Sequence, residues 1–227
     1  MNSSRETILN AVKKAVKNPS HLPESPAETE NLIQESLKAI TPADRKGLRN
    51  QFEKELLAVS GEFVPVKSTG ELVAHISKDL QNKQYRTLIL TDHKNTASAA
   101  RQLQTEYSAI NYIRATELEA DARKTRLAFA DAALVGVDHA IADTASLAVL
   151  QADSDSMFPH FLPDCIYVIV KPEQLIANLF DLFTLIPTES AKNMLLITGP
   201  SRTADIEKII ILGAHGPRRL VVYWLEE

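Results

Sequence analysis

The string Leu195-Leu196-Ile197-Thr198-Gly199-Pro200-Ser201-Arg202-Thr203 carries an apolar run into a Gly-Pro turn and then into two hydroxyls and a guanidinium. Hydroxyls, unpaired backbone amides and an arginine at the end of a buried strand are the groups that hold a carboxylate or a phosphate. In an open α/β sheet, ligands sit where strand C-ends meet helix N-termini. Residues 203–212 read as the helix that follows, which makes Gly199, Ser201, Arg202 and Thr203 candidate ligand-binding groups. Ser201 or Thr203 can equally serve as the helix cap, with Asp205 and Glu207 suited to the first-turn dipole. Both roles stay open at this point.

A second constellation is Gly213-Ala214-His215-Gly216-Pro217-Arg218. Gly213 suits a left-handed helix stop. His215 is the histidine best placed for proton transfer, and so a catalytic candidate. Gly216 and Arg218 join the ligand-binding candidates, with Arg218 expected to face the same pocket as Arg202. A third group, Ala140-Ile141-Ala142-Asp143-Thr144, interrupts two apolar runs with polar residues. Asp143 is a second catalytic candidate and Thr144 a ligand contact, although a plain turn explains both residue types as well. The loop Met157-Phe158-Pro159-His160-Phe161-Leu162-Pro163-Asp164 reads as a lid or an ordinary surface loop. Phosphate-binding glycine-rich loops, a serine-hydrolase elbow and a His-Glu-x-x-His zinc motif do not occur in the sequence.

These groups need a scaffold, and residues 61–227 alternate strand and helix patterns. Apolar runs at 63–66, 87–91, 110–113, 132–137, 165–170, 193–198 and 220–225 read as strands, with Pro65 marking an edge. Helical patterns at 72–80, 94–106, 118–129, 172–185 and 203–212 separate them. The expectation is an α/β fold, an open and mostly parallel sheet with helices on both faces. Residues 140–143 and 146–150 break the alternation and read as a hairpin or a bent strand pair. Residues 1–60 differ: helical spacing at 4–17, 32–40 and 48–59, opened at Thr41-Pro42 for the last, predicts an N-terminal helical arm before an α/β domain at 61–227.

The bulk numbers exclude several classes. Twenty-five basic and 29 acidic residues leave a net charge of -4, and no basic block marks a nucleic-acid surface. The sequence starts without an apolar leader and has no membrane-length apolar run, so a cytoplasmic, membrane-free protein is expected. One cysteine, Cys165, cannot form an intrachain disulfide, supply the four thiolates an iron-sulfur cluster usually needs, or build a cysteine zinc site. It reads as a buried core residue.

Four strings together, Ala140-Ile-Ala-Asp-Thr144, Leu162-Pro-Asp164, Thr198-Gly-Pro-Ser-Arg-Thr-Ala-Asp-Ile206 and Gly213-Ala-His-Gly-Pro-Arg218, resemble the LUD (lactate-utilization) family, especially its LutC type. The resemblance covers roughly residues 60–227. It implies a NagB/RpiA/CoA-transferase-like fold. It also implies a subunit of an iron-sulfur-dependent system that oxidises L-lactate to pyruvate, binding a small carboxylate or phosphate-bearing ligand. No cofactor is expected on this chain, and iron-sulfur clusters would sit on sister subunits. A homo-oligomer through the arm is a further expectation. The family commonly has glycine where Ala145 stands, so a left-handed turn there costs on the order of 1 kcal/mol. The alternatives are a stand-alone enzyme of the CoA-transferase or formyl-tetrahydrofolate cyclo-ligase type, and a non-catalytic ligand-sensing scaffold. The former normally needs a glutamate nucleophile, for which the motifs offer only Asp143 and Glu207.

Overall fold

A computed structural model of the chain describes residues 29, 31–33, 35–36, 42, 44–151, 154–186, 193–204, 210–212 and 216–227, the side chains of 120–122, 154–156, 202–204 and 210–212 excepted. Two compact units divide at residue 40. In the first, Thr29, Asn31 to Ile33, Glu35 and Ser36 are helical, and the helix expected at 4–17 lies outside the described residues. The second unit runs from Thr41 to Glu227, so the last helix of the expected arm is counted with the α/β body.

In chain order this unit forms α1 (Arg45–Ala58), β1 (Glu62–Val66), α2 (Thr69–Asn82), β2 (Thr87–Leu90), α3 (Ala97–Glu106), β3 (Asn111–Arg114), α4 (Ala120–Ala128) and β4 (Ala132–Gly136). Then follow β5 (His139–Ile141), β6 (Ser146–Gln151), β7 (Cys165–Val170), β8 (Leu175–Ile176), α5 (Leu179–Leu185), β9 (Asn193–Ile197), β10 (Arg202–Ala204), β11 (Ile210–Leu212) and β12 (Arg219–Leu225). Six strands make a sheet in the order β1-β12-β7-β4-β2-β3, with every pairing parallel. Pro65 lies in an edge strand, where its missing N–H costs no ladder bond. The chain steps outward from β2 to β3, then returns past β2 to β4, β7 and β12. Its direction therefore reverses between the neighbours β2 and β4.

Strand alternation splits the core in two. Leu88, Leu90, Leu134, Tyr167 and Tyr223 pack against Leu72, Ile76 and Leu80 of α2 and Leu103 of α3. Ile89, Val135, Val168 and Trp224 face the other way, onto Phe52 and Leu56 of α1, Leu127 of α4 and the second sheet. That sheet, β8-β5-β6-β9, joins an antiparallel β5–β6 hairpin to β9 and β8. Its far side rests on Leu182 of α5. No helix among the described residues is long and apolar enough to cross a membrane.

Four expectations are corrected. Residues 202–204 and 210–212 form an antiparallel ribbon rather than the two ends of a helix. Thr203, Ile210 and Ile211 are β-branched and favour extended backbone. β9 leaves the parallel sheet and pairs antiparallel with β6. The helix read at 172–185 is interrupted: Gln174 turns its amide onto the Val137 and Asp138 carbonyls while its oxygen takes the Lys171 amide, and Asn178 then caps the shorter α5. α1 starts later than Thr41-Pro42 because Asp44 accepts from the Gly47 amide at 2.6 Å.

Ala145 closes the hairpin with φ of 50° and is fully buried. A left-handed L-residue costs about 1–2 kcal/mol, while a buried methyl contributes about 0.8 kcal/mol. Ala145→Gly is therefore expected to hold or raise the urea midpoint. Ala133→Gly, in the extended backbone of β4, should lose about 1 kcal/mol by the same measurement. Equal losses in both variants would refute the strain.

A 3-10 turn, Ser154–His160, is pinned to β4 through His160. The ring nitrogens of this buried histidine lie 3.2 Å from Met157 O and 3.1 Å from Gly136 O. Burial pushes its pKa below 6.5 and outweighs the help a cation would get from the two carbonyls. The unfolded chain then binds the proton more readily below pH 6.5, so stability must fall as pH drops through that range. One such group contributes a slope of up to about 1.4 kcal/mol per pH unit. Denaturation of His160→Gln between pH 5 and 7 should show a flatter dependence than the parent, whatever its absolute stability. An unchanged slope would remove His160 from the account.

Candidate functional site

A cavity of about 300 Å³ opens where the chain direction reverses, at the C-terminal ends of β2 and β4. This is the position at which open α/β sheets hold ligands, because two loops part there and leave a crevice. Its walls include Thr91, Asp92 and His93 after β2, Thr116 after β3, Arg123 of α4, and Gly136 at the end of β4. Ala115, Gln151, Pro159 and His160 complete it.

The turn after β2 is tightly tied. Buried Thr96 donates its hydroxyl to Thr91 O and His93 O, each at 3.1 Å. His93 N reaches back to Thr91 O at 3.1 Å. The imidazole of His93 is thereby packed against Gly136, where a Cβ would stand 2.1 Å from Nδ1. The Asn95 amide donates to that Nδ1 at 3.2 Å. A neutral ring accepting at Nδ1 carries its proton on Nε2. His93 is thus a hydrogen-bond donor in this arrangement, with Nε2 3.8 Å from Asp138 Oδ1. Burial raises the pKa of Asp138, yet His93 and the Leu150 amide, which donates to Asp138 Oδ2 at 2.7 Å, bring it below the ordinary carboxylate value. Asp138 is an anion that steadies this imidazole.

The remaining polar groups divide by function. Thr91 spends its hydroxyl proton on Leu134 O at 3.3 Å, and Thr116 spends its own on Asp92 Oδ2 at 2.7 Å. A hydroxyl has one proton and two lone pairs, so both threonines offer acceptors to the cavity. The guanidinium of Arg123, which donates through one Nη to Leu118 O at 3.1 Å, brings the positive charge. Such a site suits a short molecule with an anionic end and a hydroxyl. The cavity wall holds no serine or cysteine nucleophile among the described residues. No group of three or more His, Cys, Asp or Glu is arranged for a metal among them either.

The candidates from the sequence fall elsewhere. Gly199, Ser201 and Gly216 do converge, in a separate recess of about 230 Å³ against Phe161 and Leu195 to Ile197. Ser201 N donates to Pro217 O at 2.8 Å, and Gly199 adopts φ of 91° with its Cα against Val59. His160 borders both this recess and the larger cavity. Arg202 and Thr203 are strand residues of β10, with side chains outside the described set. His215, Gly213, Asp205 and Glu207 lie outside the described residues.

Arg218 is at the opposite, N-terminal edge of the sheet. Its guanidinium is ion-paired with Asp164, and its amide donates to Asp164 O at 2.7 Å. It clamps β12 to β7 instead of facing a pocket shared with Arg202. Asp143 and Thr144 sit at the β5–β6 turn and line neither cavity. Burial raises the Asp143 pKa, with nearby Asp181 adding to it, and one carboxyl oxygen is buried without a hydrogen-bond partner. Thr91, Asp92, His93, Thr116, Arg123 and Gly136 were missed by motif reasoning. The available signal was positional: Thr91-Asp92-His93 is the first polar string after a buried parallel strand.

Comparison with known proteins follows the fold. An uncharacterized protein of Neisseria meningitidis serogroup B is 32% identical over 112 residues, 48% of each chain. Lactate utilization protein C of a Geobacillus species is 26% identical over 110 residues, 44% of this chain and 46% of its own. The chain therefore spans about half the length of the curated relatives it matches. A DUF162 family protein from Deinococcus radiodurans superposes with a TM-score of 0.55 at 20% identity, over 81% of this chain and 99% of that one, and so shares the fold. Residues 49–225 match the LUD domain, and the chain belongs to the LUD domain family.

Proposed function

We propose that the chain binds a short organic anion, a hydroxy or oxo carboxylate, in the cavity at the ends of β2 and β4, and does so within a lactate-utilization system. The observation that carries this is the distribution of groups around one crevice: a guanidinium, an imidazole fixed on Gly136 with its Nε2 toward Asp138, and two threonine oxygens left as acceptors. A carboxylate fits the guanidinium, and a 2-hydroxyl fits the threonines. The lactate connection is supported by family membership and by the relative named lactate utilization protein C.

The redox centres of such a system do not fit this chain. Its one cysteine is buried in β7, and burial pushes the thiol pKa up to about 12, so it is no thiolate ligand. Oxidation would then belong to iron-sulfur partner proteins, and this chain's part is to bind and orient the acid.

Titration calorimetry with L-lactate, glycolate, pyruvate and inorganic phosphate tests the site. Saturable binding of at least one short carboxylate is expected. Arg123→Gln should weaken it about 10- to 100-fold, the range for losing a charge-assisted hydrogen bond. Gly136→Ala should do the same by displacing His93. Binding that survives both variants and is lost on Gly216→Val would move the ligand to the recess beside Ser201. No binding of any of the four would end the proposal.

A further inference from the structure

Resting on the assignment of the cavity to a short anion, we infer that Arg114, which does not line the cavity, is the positioning residue that sets its net charge. Asp92 is on the cavity wall, half exposed, and a bare carboxylate there would repel the anion that Arg123 attracts. Arg114, at the end of β3, places Nη1 2.8 Å from Asp92 Oδ1. Its second Nη is fixed on Gln104 Oε1 at 3.2 Å, so α3 and β3 together hold the guanidinium in place. Thr116 closes the other oxygen of Asp92 at 2.7 Å. Asp92 thus orients the Thr116 hydroxyl, leaving its lone pairs for the ligand, while Arg114 cancels the charge this orientation brings with it.

The arrangement makes affinity a function of the rim charge rather than of either residue alone. Glu117 also reaches Arg114, with Oε1 3.9 Å from Nε, so Asp92, Arg114 and Glu117 together carry a net negative charge. Arg114→Gln makes this rim more negative, Asp92→Asn makes it neutral, and the double variant returns it to the wild-type charge. Charges a few ångströms from a ligand near the protein surface act at an effective dielectric well below that of water.

The test is the affinity of all four proteins for L-lactate by calorimetry, with inorganic phosphate as a second probe. Arg114→Gln should bind about five- to tenfold more weakly and Asp92→Asn several-fold more tightly, with the double variant near wild type. The spread should shrink as salt rises from 20 to 500 mM, because exposed charges are screened. A merely structural Arg114 would give a loss that Asp92→Asn does not rescue and salt does not change, and either result overturns the inference. Tighter binding by Asp92→Asn supports it even if Arg114→Gln fails to fold, and weaker binding by Asp92→Asn overturns it. If wild type binds neither probe, the cavity assignment fails and this inference with it. If wild type binds and all four affinities agree, only this inference falls.

Discussion

The missing side chain at Gly136 is the constraint on which the rest depends. Its Cα face carries the His93 ring so closely that no Cβ fits between them. Its carbonyl faces Nε2 of His160 at 3.1 Å. One residue at the end of a buried strand therefore joins the turn after β2, β4 itself and the 3-10 turn that precedes β7. Glycine is needed here because the His93 side chain occupies the space a Cβ would take. The cavity exists because these segments are tied at Gly136 and held apart beyond it.

The parallel sheet was legible in the sequence because its strands are buried on both faces. Runs such as Cys165-Ile-Tyr-Val-Ile-Val170 and Ala132-Ala-Leu-Val read as continuous apolar segments, which is what helices on one side and a second layer on the other require. The hairpin at 139–151 was equally plain from its two short apolar runs around Asp143-Thr144. β9 was found as a strand but assigned to the wrong sheet, because an apolar run does not state its partner. The C-terminal ribbon was misread because Thr203, Ile206, Ile210 and Ile211 also satisfy a helical spacing. There the preference of β-branched residues for extended backbone decided against the period.

The site was harder to read than the fold, for a physical reason. Motif reasoning looks for contiguous residues, and the C-terminal strings do gather Gly199, Ser201 and Gly216 around one recess. The larger cavity takes its groups from β2, β3, α4 and β4, which the topology alone brings together. Asp92, Arg114 and Arg123 are ordinary surface residue types until the order β4-β2-β3 is known.

The two edges of the parallel sheet handle charge in opposite ways. At the N-terminal edge Arg219 is paired on two sides: Glu62 takes two of its nitrogens at 2.8 and 2.9 Å, and Asp79, itself hydrogen-bonded by Tyr167, takes a third at 2.9 Å. Arg218 is paired with Asp164 on the same edge. The exposed Arg218–Asp164 pair contributes little to stability, so the part-buried Arg219, held between Glu62 and Asp79, is what ties this edge together. At the C-terminal edge the carboxylates are assigned to positioning: Asp138 steadies His93, and Asp92 turns Thr116. Of the groups so positioned, Thr116 keeps its oxygen lone pairs for a ligand. The N-terminal edge does hold a recess of about 460 Å³, but the Arg219 guanidinium in its wall is matched by Glu62 and Asp79, whereas the crevice above Gly136 sets Arg123 beside threonine acceptors and so suits a small anion better.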